Sequence, residues 1–378
     1  MADDEPTFPA LLADASRITL KIGSSLLIGP DGSGLSTEWL ADLAADIAGL
    51  RRAGKQVVVV SSGAVALGRD RLGTRRSPRL ELKQAAAAIG QPLLMRAWGQ
   101  ALGEHGIGCA QLLLTLDDTE RRRRWLNARA TTEALLAHGL VPIVNENDSV
   151  ATDELRYGDN DRLSARAAQL VRSDLLILLS DVDGLHTADP ARDPAARHVP
   201  VVAEITPAIL ALAGDASVAG PGTGGMRTKL AAAGIAGAFG CSTVIASGHA
   251  PHPIAALSEG ARCTIFPARV SPASAYKQWI AASLDPAGSV AVDAGAARAL
   301  AGGASLLPAG VRSVTGAFGR GACLRVLGPD GAEIARGLSA YDAAEARAIA
   351  GAGSARIPAL LGYVGPDELI HRGDLVLR

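Results

Sequence analysis

Leu175-Leu176-Ile177-Leu178-Leu179-Ser180-Asp181 is apolar for five residues without a break and then polar for two. A strand with one face in water alternates apolar and polar side chains. An unbroken apolar run of this length therefore reads as a strand covered on both faces. Ile18–Ile22, Gln56–Val60, Cys109–Leu114, Leu140–Val144 and Ser242–Ala246 are of the same kind, several of them β-branched. Helical spacing fills the intervals. Leu40, Leu43, Ala44, Ile47 and Leu50 recur three and four residues apart, with Ser36 as a candidate cap and Gly54 as the stop. Further helical segments lie near 83–103, 127–138, 161–172 and 225–238. The alternation predicts an α/β fold: an open, mainly parallel sheet sandwiched by helices.

The length of 378 residues favours two domains, and the texture changes after Ala268. Val270-Ser271-Pro272-Ala273 and Asp285-Pro286-Ala287-Gly288 bracket a connecting segment. Beyond it come short runs split by Gly and Pro, at Arg312–Thr315, Cys323–Leu327 and Glu333–Leu338, with a helix at Asp342–Ala350. The expected organisation is an α/β domain over 1–270, a linker over 271–287 and a small β-rich domain over 288–378.

A net charge of −1 excludes a global bias toward nucleic acid or anionic membrane. Cys109, Cys241, Cys263 and Cys323 are widely spaced with no C-x-x-C, as in a reducing compartment. Asp3, Asp4 and Glu5 precede any apolar run, unlike a signal peptide. Leu230 to Ser258 lacks charged Asp, Glu, Lys and Arg, yet its glycines and prolines fit a buried helix followed by a strand better than a membrane span. A cytoplasmic protein is expected. His249 and His252 have no ligand pattern around them, and Arg121 to Arg124 read as a solvated helix face paired with Asp117, Asp118 and Glu120.

Ligands of parallel α/β sheets bind beyond the carboxyl ends of the strands. There the chain places Lys21-Ile22-Gly23-Ser24-Ser25, Ser61-Ser62-Gly63-Ala64, Asn145-Glu146-Asn147-Asp148 and Ser180-Asp181, and a loop delivers Gly158-Asp159-Asn160-Asp161 to a helix start. Each alone reads as a polar turn or a helix cap. Together they fall on one edge of the sheet. Gly220-Pro221-Gly222-Thr223-Gly224-Gly225-Met226-Arg227-Thr228-Lys229 adds a glycine loop before a helix, suited to phosphate. It is not a Walker A loop, because Thr228 precedes Lys229. Gly220, Gly222 and Gly225 do match G-x-G-x-x-G, but no acidic residue occurs between Asp215 and Glu259 to hold a ribose.

Two lysines, several Asp and Asn groups and a glycine loop fit phosphoryl transfer, in which catalysis is mostly positioning and charge neutralisation. Asp161 between Lys21 and Lys229 would offset their repulsion. No histidine joins the set as a base. A carboxylate acceptor, ionised at neutral pH with a pKa of about 4, needs none.

Taken together, these segments resemble the amino acid kinase family, in the branch that phosphorylates L-glutamate. The matching residues are Lys21 to Ser25, Ser61 to Ala64, Val144 to Asp148, Gly158 to Asp161, Ser180-Asp181 and Gly222 to Lys229. The region with Gly302 to Gly310 and Val314 to Gly321 resembles a PUA domain. The resemblance implies the amino acid kinase fold with an appended PUA domain, and transfer of phosphate from ATP, escorted by Mg2+, to the side-chain carboxylate of L-glutamate, the first step of proline biosynthesis. It implies that Lys21, Lys229 and Asp161 are catalytic, and that Ser62, Asp148 and Asn160, with Asn145 and Asp159, bind glutamate. It places Lys21, Ser180, Asp181 and Thr223, Gly224, Gly225, Met226, Arg227, Thr228 and Lys229 at ATP. Ser61 and Ser180 stand where the family often has Thr, and Arg227 where a smaller polar residue is common. Proline as feedback inhibitor, a homo-oligomer and hand-off to glutamate-5-semialdehyde dehydrogenase are further implications.

The alternatives are a kinase of another acidic amino acid and an RNA-binding protein acting through the PUA domain. The second is not expected, because 288–378 has no lysine and its Arg298, Arg312, Arg320 and Arg325 are scattered.

Overall fold

The computed structural model describes residues 5–29, 34–73, 79–151, 160–214, 225–282 and 285–378, the side chains of Leu116 and Ala282 excepted. The chain forms two compact units, Met1–Glu120 with Asn127–Pro272, and Arg121–Leu126 with Ala273–Arg378.

In chain order the elements of the first part are α1 (Phe8–Asp14), β1 (Arg17–Ile22), α2 (Ser24–Leu27), α3 (Thr37–Arg52), β2 (Gln56–Val60), α4 (Ala64–Leu72), α5 (Leu80–Gly103) and β3 (Cys109–Leu114). There follow α6 (Leu116–Glu120), α7 (Arg122–Ala137), β4 (Val141–Glu146), α8 (Asn160–Val171), β5 (Leu175–Ser180), β6 (Leu185–His186) and β7 (His198–Val199). The last are α9 (Pro207–Leu212), α10 (Met226–Ala238), β8 (Ser242–Ser247), α11 (Pro253–Ser258) and β9 (Cys263–Phe266). Seven strands pair in the order β3-β4-β2-β1-β5-β8-β9, all parallel except β9.

β5 explains its own sequence. Leu175, Ile177 and Leu179 pack into one core with Leu43 and Ile47 of α3 and with Leu94 and Trp98 of α5. Leu176 and Leu178 pack into the opposite core with Ala165 and Ala168 of α8 and with Leu230 and Ala233 of α10. Both faces are covered, so no residue of the strand needs to be polar. Burial of each such leucine contributes roughly 1.5–3 kcal/mol. β1 has a different pattern for the same reason. Ile18, Leu20 and Ile22 enter the α3 side, which turns Thr19 and Lys21 toward α8. Thr19 is satisfied there by Ser173, Oγ1 to Oγ 2.7 Å. Lys21, one step further along, meets an acidic residue instead.

From β1 the sheet grows to β2 on one side and to β5 on the other. The strand order thus reverses at β1, which opens a crevice at its carboxyl end.

Two elements differ from expectation in ways that bear on that crevice. β4 runs to Glu146 rather than Val144, because Asn145 and Glu146 continue the ladder opposite Leu113 and Leu114. Asn145 is therefore anchored on a strand and not on a turn. α4, unexpected from the sequence, starts directly after Ser62, with Gly63 at φ +100° as its N-cap. It lies so close to α5 that a Cβ on Gly68 would fall 1.7 Å from the Ala86 carbonyl oxygen, and one on Gly90 would fall 1.8 Å from that of Ala64. Gly90→Ala is expected to cost about 1–3 kcal/mol by overpacking, read as a lowered urea midpoint. Because Ala64 leads α4 out of the Ser61–Gly63 turn, substrate affinity should fall with it. Stability within error of wild type would contradict this packing.

The second unit has a five-stranded sheet in the order β11-β10-β12-β13-β14, formed by β10 (Gly288–Val292), β11 (Val311–Gly316), β12 (Cys323–Leu327), β13 (Glu333–Leu338) and β14 (Leu375–Leu377). Val290, Val292, Leu324, Val326 and Tyr341 centre its core. The segment 271–287, read as a linker, carries the helix α12 (Pro272–Ala282). The Arg121–Arg124 run is not uniformly solvated: the Arg122 guanidinium lies 5.3 Å from the ring centroid of Trp279, within this unit. A cationic side chain beside an indole face gains a cation–π interaction that a run of four arginines does not reveal.

Candidate active site

The carboxylate of Asp161 is the centre of the described site. It is fully buried on the first turn of α8. One oxygen, Oδ1, pairs with the ammonium of Lys21. The other, Oδ2, accepts hydrogen bonds from Lys229 Nζ at 3.1 Å and from Thr228 Oγ1 at 3.0 Å. Lys21 is 5% exposed and Lys229 2%. Burial by itself would raise the Asp161 pKa, but the positive charges of Lys21 and Lys229 outweigh it and hold the carboxyl below the ordinary carboxylate range. Among the described residues, the two ammonium groups face this carboxylate in a dry setting, where charges act strongly.

Local structure explains how these three meet. Lys21 arrives by the alternation of β1, Asp161 by the first turn of α8, and Lys229 by the first turn of α10. Gly225 caps α10, and its carbonyl lies 2.8 Å from Thr228 Oγ1. Ser164 Oγ donates to the Asp161 carbonyl at 2.6 Å and steadies the start of α8.

Beside this cluster lies a second one. Asn160 Nδ2 donates among three acceptors, the Ser61 carbonyl at 2.9 Å, Ser62 Oγ at 2.8 Å and Asn145 Oδ1 at 3.0 Å. Asn145 is 4% exposed, and its Oδ1 also takes the Glu146 backbone N–H at 2.9 Å. Asn160 and Asp161 are adjacent in the chain, so the two clusters share one helix turn. Asp148 is half-buried in the turn after β4.

Ser180 closes β5, 3% exposed, beside Gly23, whose N–H donates to the Leu179 carbonyl at 3.1 Å. Asp181 and Arg227 are exposed and Gly225 and Met226 half-buried. Asp159, Thr223 and Gly224 lie outside the described residues. The structure thus joins Lys21, Asp161, Thr228 and Lys229 in one cluster and Ser62, Asn145 and Asn160 in another. Thr228, expected to line a nucleotide site, turns its hydroxyl to Asp161. Sequence reasoning missed Ser164, and Trp98 behind Ser61. Neither carries a local signal, since a serine in a helix and a tryptophan on an apolar stripe read as ordinary helix and core.

Fold and site together define a class. The chain belongs to the amino acid kinase family, whose model matches residues 16–247, and it carries a PUA domain matched over 288–361. Within the family it is similar over nearly its full length to proteins named glutamate 5-kinase. It is 59% identical over 366 residues to the glutamate 5-kinase of Caulobacter vibrioides, covering 96% of this chain and 97% of that protein. It is 56% identical to glutamate 5-kinase 1 of Rhizobium meliloti, covering 97% and 93%. For the glutamate 5-kinase of Paramagnetospirillum magneticum the identity is 55%, covering 97% and 99%. Among the described residues no helix is long and apolar enough to cross a membrane.

Proposed function

We propose that the chain transfers the γ-phosphoryl group of ATP to the side-chain carboxylate of L-glutamate, giving L-glutamyl 5-phosphate and ADP. The observation that carries this reading is the buried Lys21–Asp161–Lys229 cluster beside the Asn160–Ser62–Asn145 cluster. Near-full-length identity to glutamate 5-kinases supports the choice of acceptor.

In this reading the carboxylate oxygen of glutamate attacks the γ-phosphorus as the bond to the β-phosphate oxygen breaks. Negative charge spreads over the moving group. Lys21 and Lys229 meet that charge, already fixed by Asp161, so little reorganisation is needed as it develops. Asp161 does not accept a proton. The acceptor is ionised at neutral pH and needs no base. Ser62, Asn160 and Asp148, with Asn145 and Asp159, hold glutamate. Ser180, Asp181 and the 223–229 segment hold the nucleotide together with Lys21.

Among the described residues no group of three His, Cys, Asp or Glu is placed to hold a metal ion. A Mg2+ ion entering with ATP would take most of its ligands from phosphate oxygens and water, which suits this donor set. On the resemblance alone, the reading extends to inhibition by proline, self-assembly and delivery of the labile acyl phosphate to a reductase.

The test is acceptor specificity. Incubated with ATP, Mg2+ and hydroxylamine, the protein should give a hydroxamate with glutamate and much less with aspartate or N-acetylglutamate. A hydroxamate from another acid and none from glutamate would end the substrate assignment.

A further inference from the structure

We propose that Trp98 is a positioning residue for the acceptor site, acting through Ser61. Trp98 lies on α5, which contributes no residue to either cluster, and it is fully buried. Its one polar atom must find a partner inside the protein. Nε1–H donates to Ser61 Oγ at 3.1 Å. Ser61 is itself fully buried, and its hydroxyl donates onward to the Ser62 carbonyl at 3.3 Å. Its N–H donates to the Val144 carbonyl at 2.9 Å, which ties the turn to β4 on the other side.

The consequence lies one bond further. Asn160 Nδ2 has two hydrogens and three acceptors within 3.0 Å, and two of those acceptors belong to Ser61 and Ser62. The direction of the Asn160 amide therefore depends on where the Ser61–Ser62 turn sits. Gly63 follows at a positive φ, so the turn has a soft joint on its α4 side. The indole N–H restrains it from α5. Phenylalanine keeps an aromatic ring in the core but removes the donor and leaves a small cavity, so the thermal melt reads the packing loss and the KM split reads the lost donor.

The inference rests on glutamate as acceptor. If wild-type protein reacts only with another carboxylate, the substrate reading is overturned and the same comparison is made with that acceptor. The experiment measures KM for glutamate, KM for ATP and kcat in Trp98→Phe, Ser61→Ala and the double variant, with thermal melts as a control. Trp98→Phe should raise KM for glutamate about tenfold, the size of one lost positioning hydrogen bond. KM for ATP and kcat should stay within about threefold. In the Ser61→Ala background, Trp98→Phe should change KM for glutamate no further, and Ser61→Thr, which keeps the hydroxyl, should stay near wild type. If Trp98→Phe does not fold, Ser61→Ala against Ser61→Thr carries the same KM split. The proposal is overturned by an unchanged KM for glutamate, by equal changes in both KM values, or by Trp98→Phe and Ser61→Ala effects that multiply.

Discussion

Lys229→Ala is expected to lower kcat by about 10²–10³-fold at saturating ATP and glutamate, with KM for glutamate moved by less than about threefold. Lys229 is 2% exposed, and its ammonium is held 3.1 Å from Asp161 Oδ2. In that setting it is screened little by water. Its attraction for the moving phosphoryl group is strongest where that group carries most negative charge, at the transition state. Such an interaction appears in kcat and not in the binding of an acceptor held, as proposed, by Asn160 and Ser62. Removing Lys229 leaves Asp161 still paired with Lys21 and bonded to Thr228. Loss of folding should therefore be modest, and a melt close to wild type would separate the kinetic effect from unfolding. Unchanged turnover would remove Lys229 from the phosphoryl-transfer step.

Asp161→Asn should be the more damaging change to the fold. It leaves the ammonium groups of Lys21 and Lys229, residues 5% and 2% exposed, without the carboxylate they share. Removing one partner of a buried ion pair costs about 3–5 kcal/mol. The pH dependence distinguishes this from a simple packing defect. The folded-state pKa of Asp161 lies below its unfolded value, because Lys21 and Lys229 outweigh burial. Its stabilising contribution is therefore complete above the unfolded value, about 3.9, and is withdrawn as pH falls through the lower folded value. Denaturant titrations at pH 7 should show the full gap between wild type and variant, and the gap should narrow progressively below about pH 4. A gap that stays constant into the acid range would mean that the lysines do not hold the carboxylate charge.

Much of this architecture was legible in the residue order. β2 and β3 match their expected bounds, and β1, β5 and β8 differ by a single residue at one end. Continuous apolar runs allow only a strand buried on both faces, so the pattern admits little choice. Lys21, Asp161 and Lys229 were legible as a set for a related reason: each ends or begins an element at the same edge of a parallel sheet. The short α4 was not legible. Val65, Ala66 and Leu67 followed by Arg69, Asp70 and Arg71 do not form a clear amphipathic stripe. What holds α4 in place is its close approach to α5 at Gly68 and Gly90, a contact between residues distant in sequence.

Periodicity and strand-end chemistry are local properties, and they were enough for the element types, the sheet class and the chemical character of its edge. Which oxygen of Asp161 each lysine holds, the turning of Thr228 toward that carboxylate, and the line from Trp98 through Ser61 to Asn160 depend on the three-dimensional packing of α5, α8 and α10. Hydrogen bonds act over about 3 Å and depend on direction, so they exist only once remote segments are packed side by side. A tryptophan on an apolar stripe looks the same in sequence whether its N–H meets a chance acceptor or steadies a substrate site. The fold brings Ser61 to it.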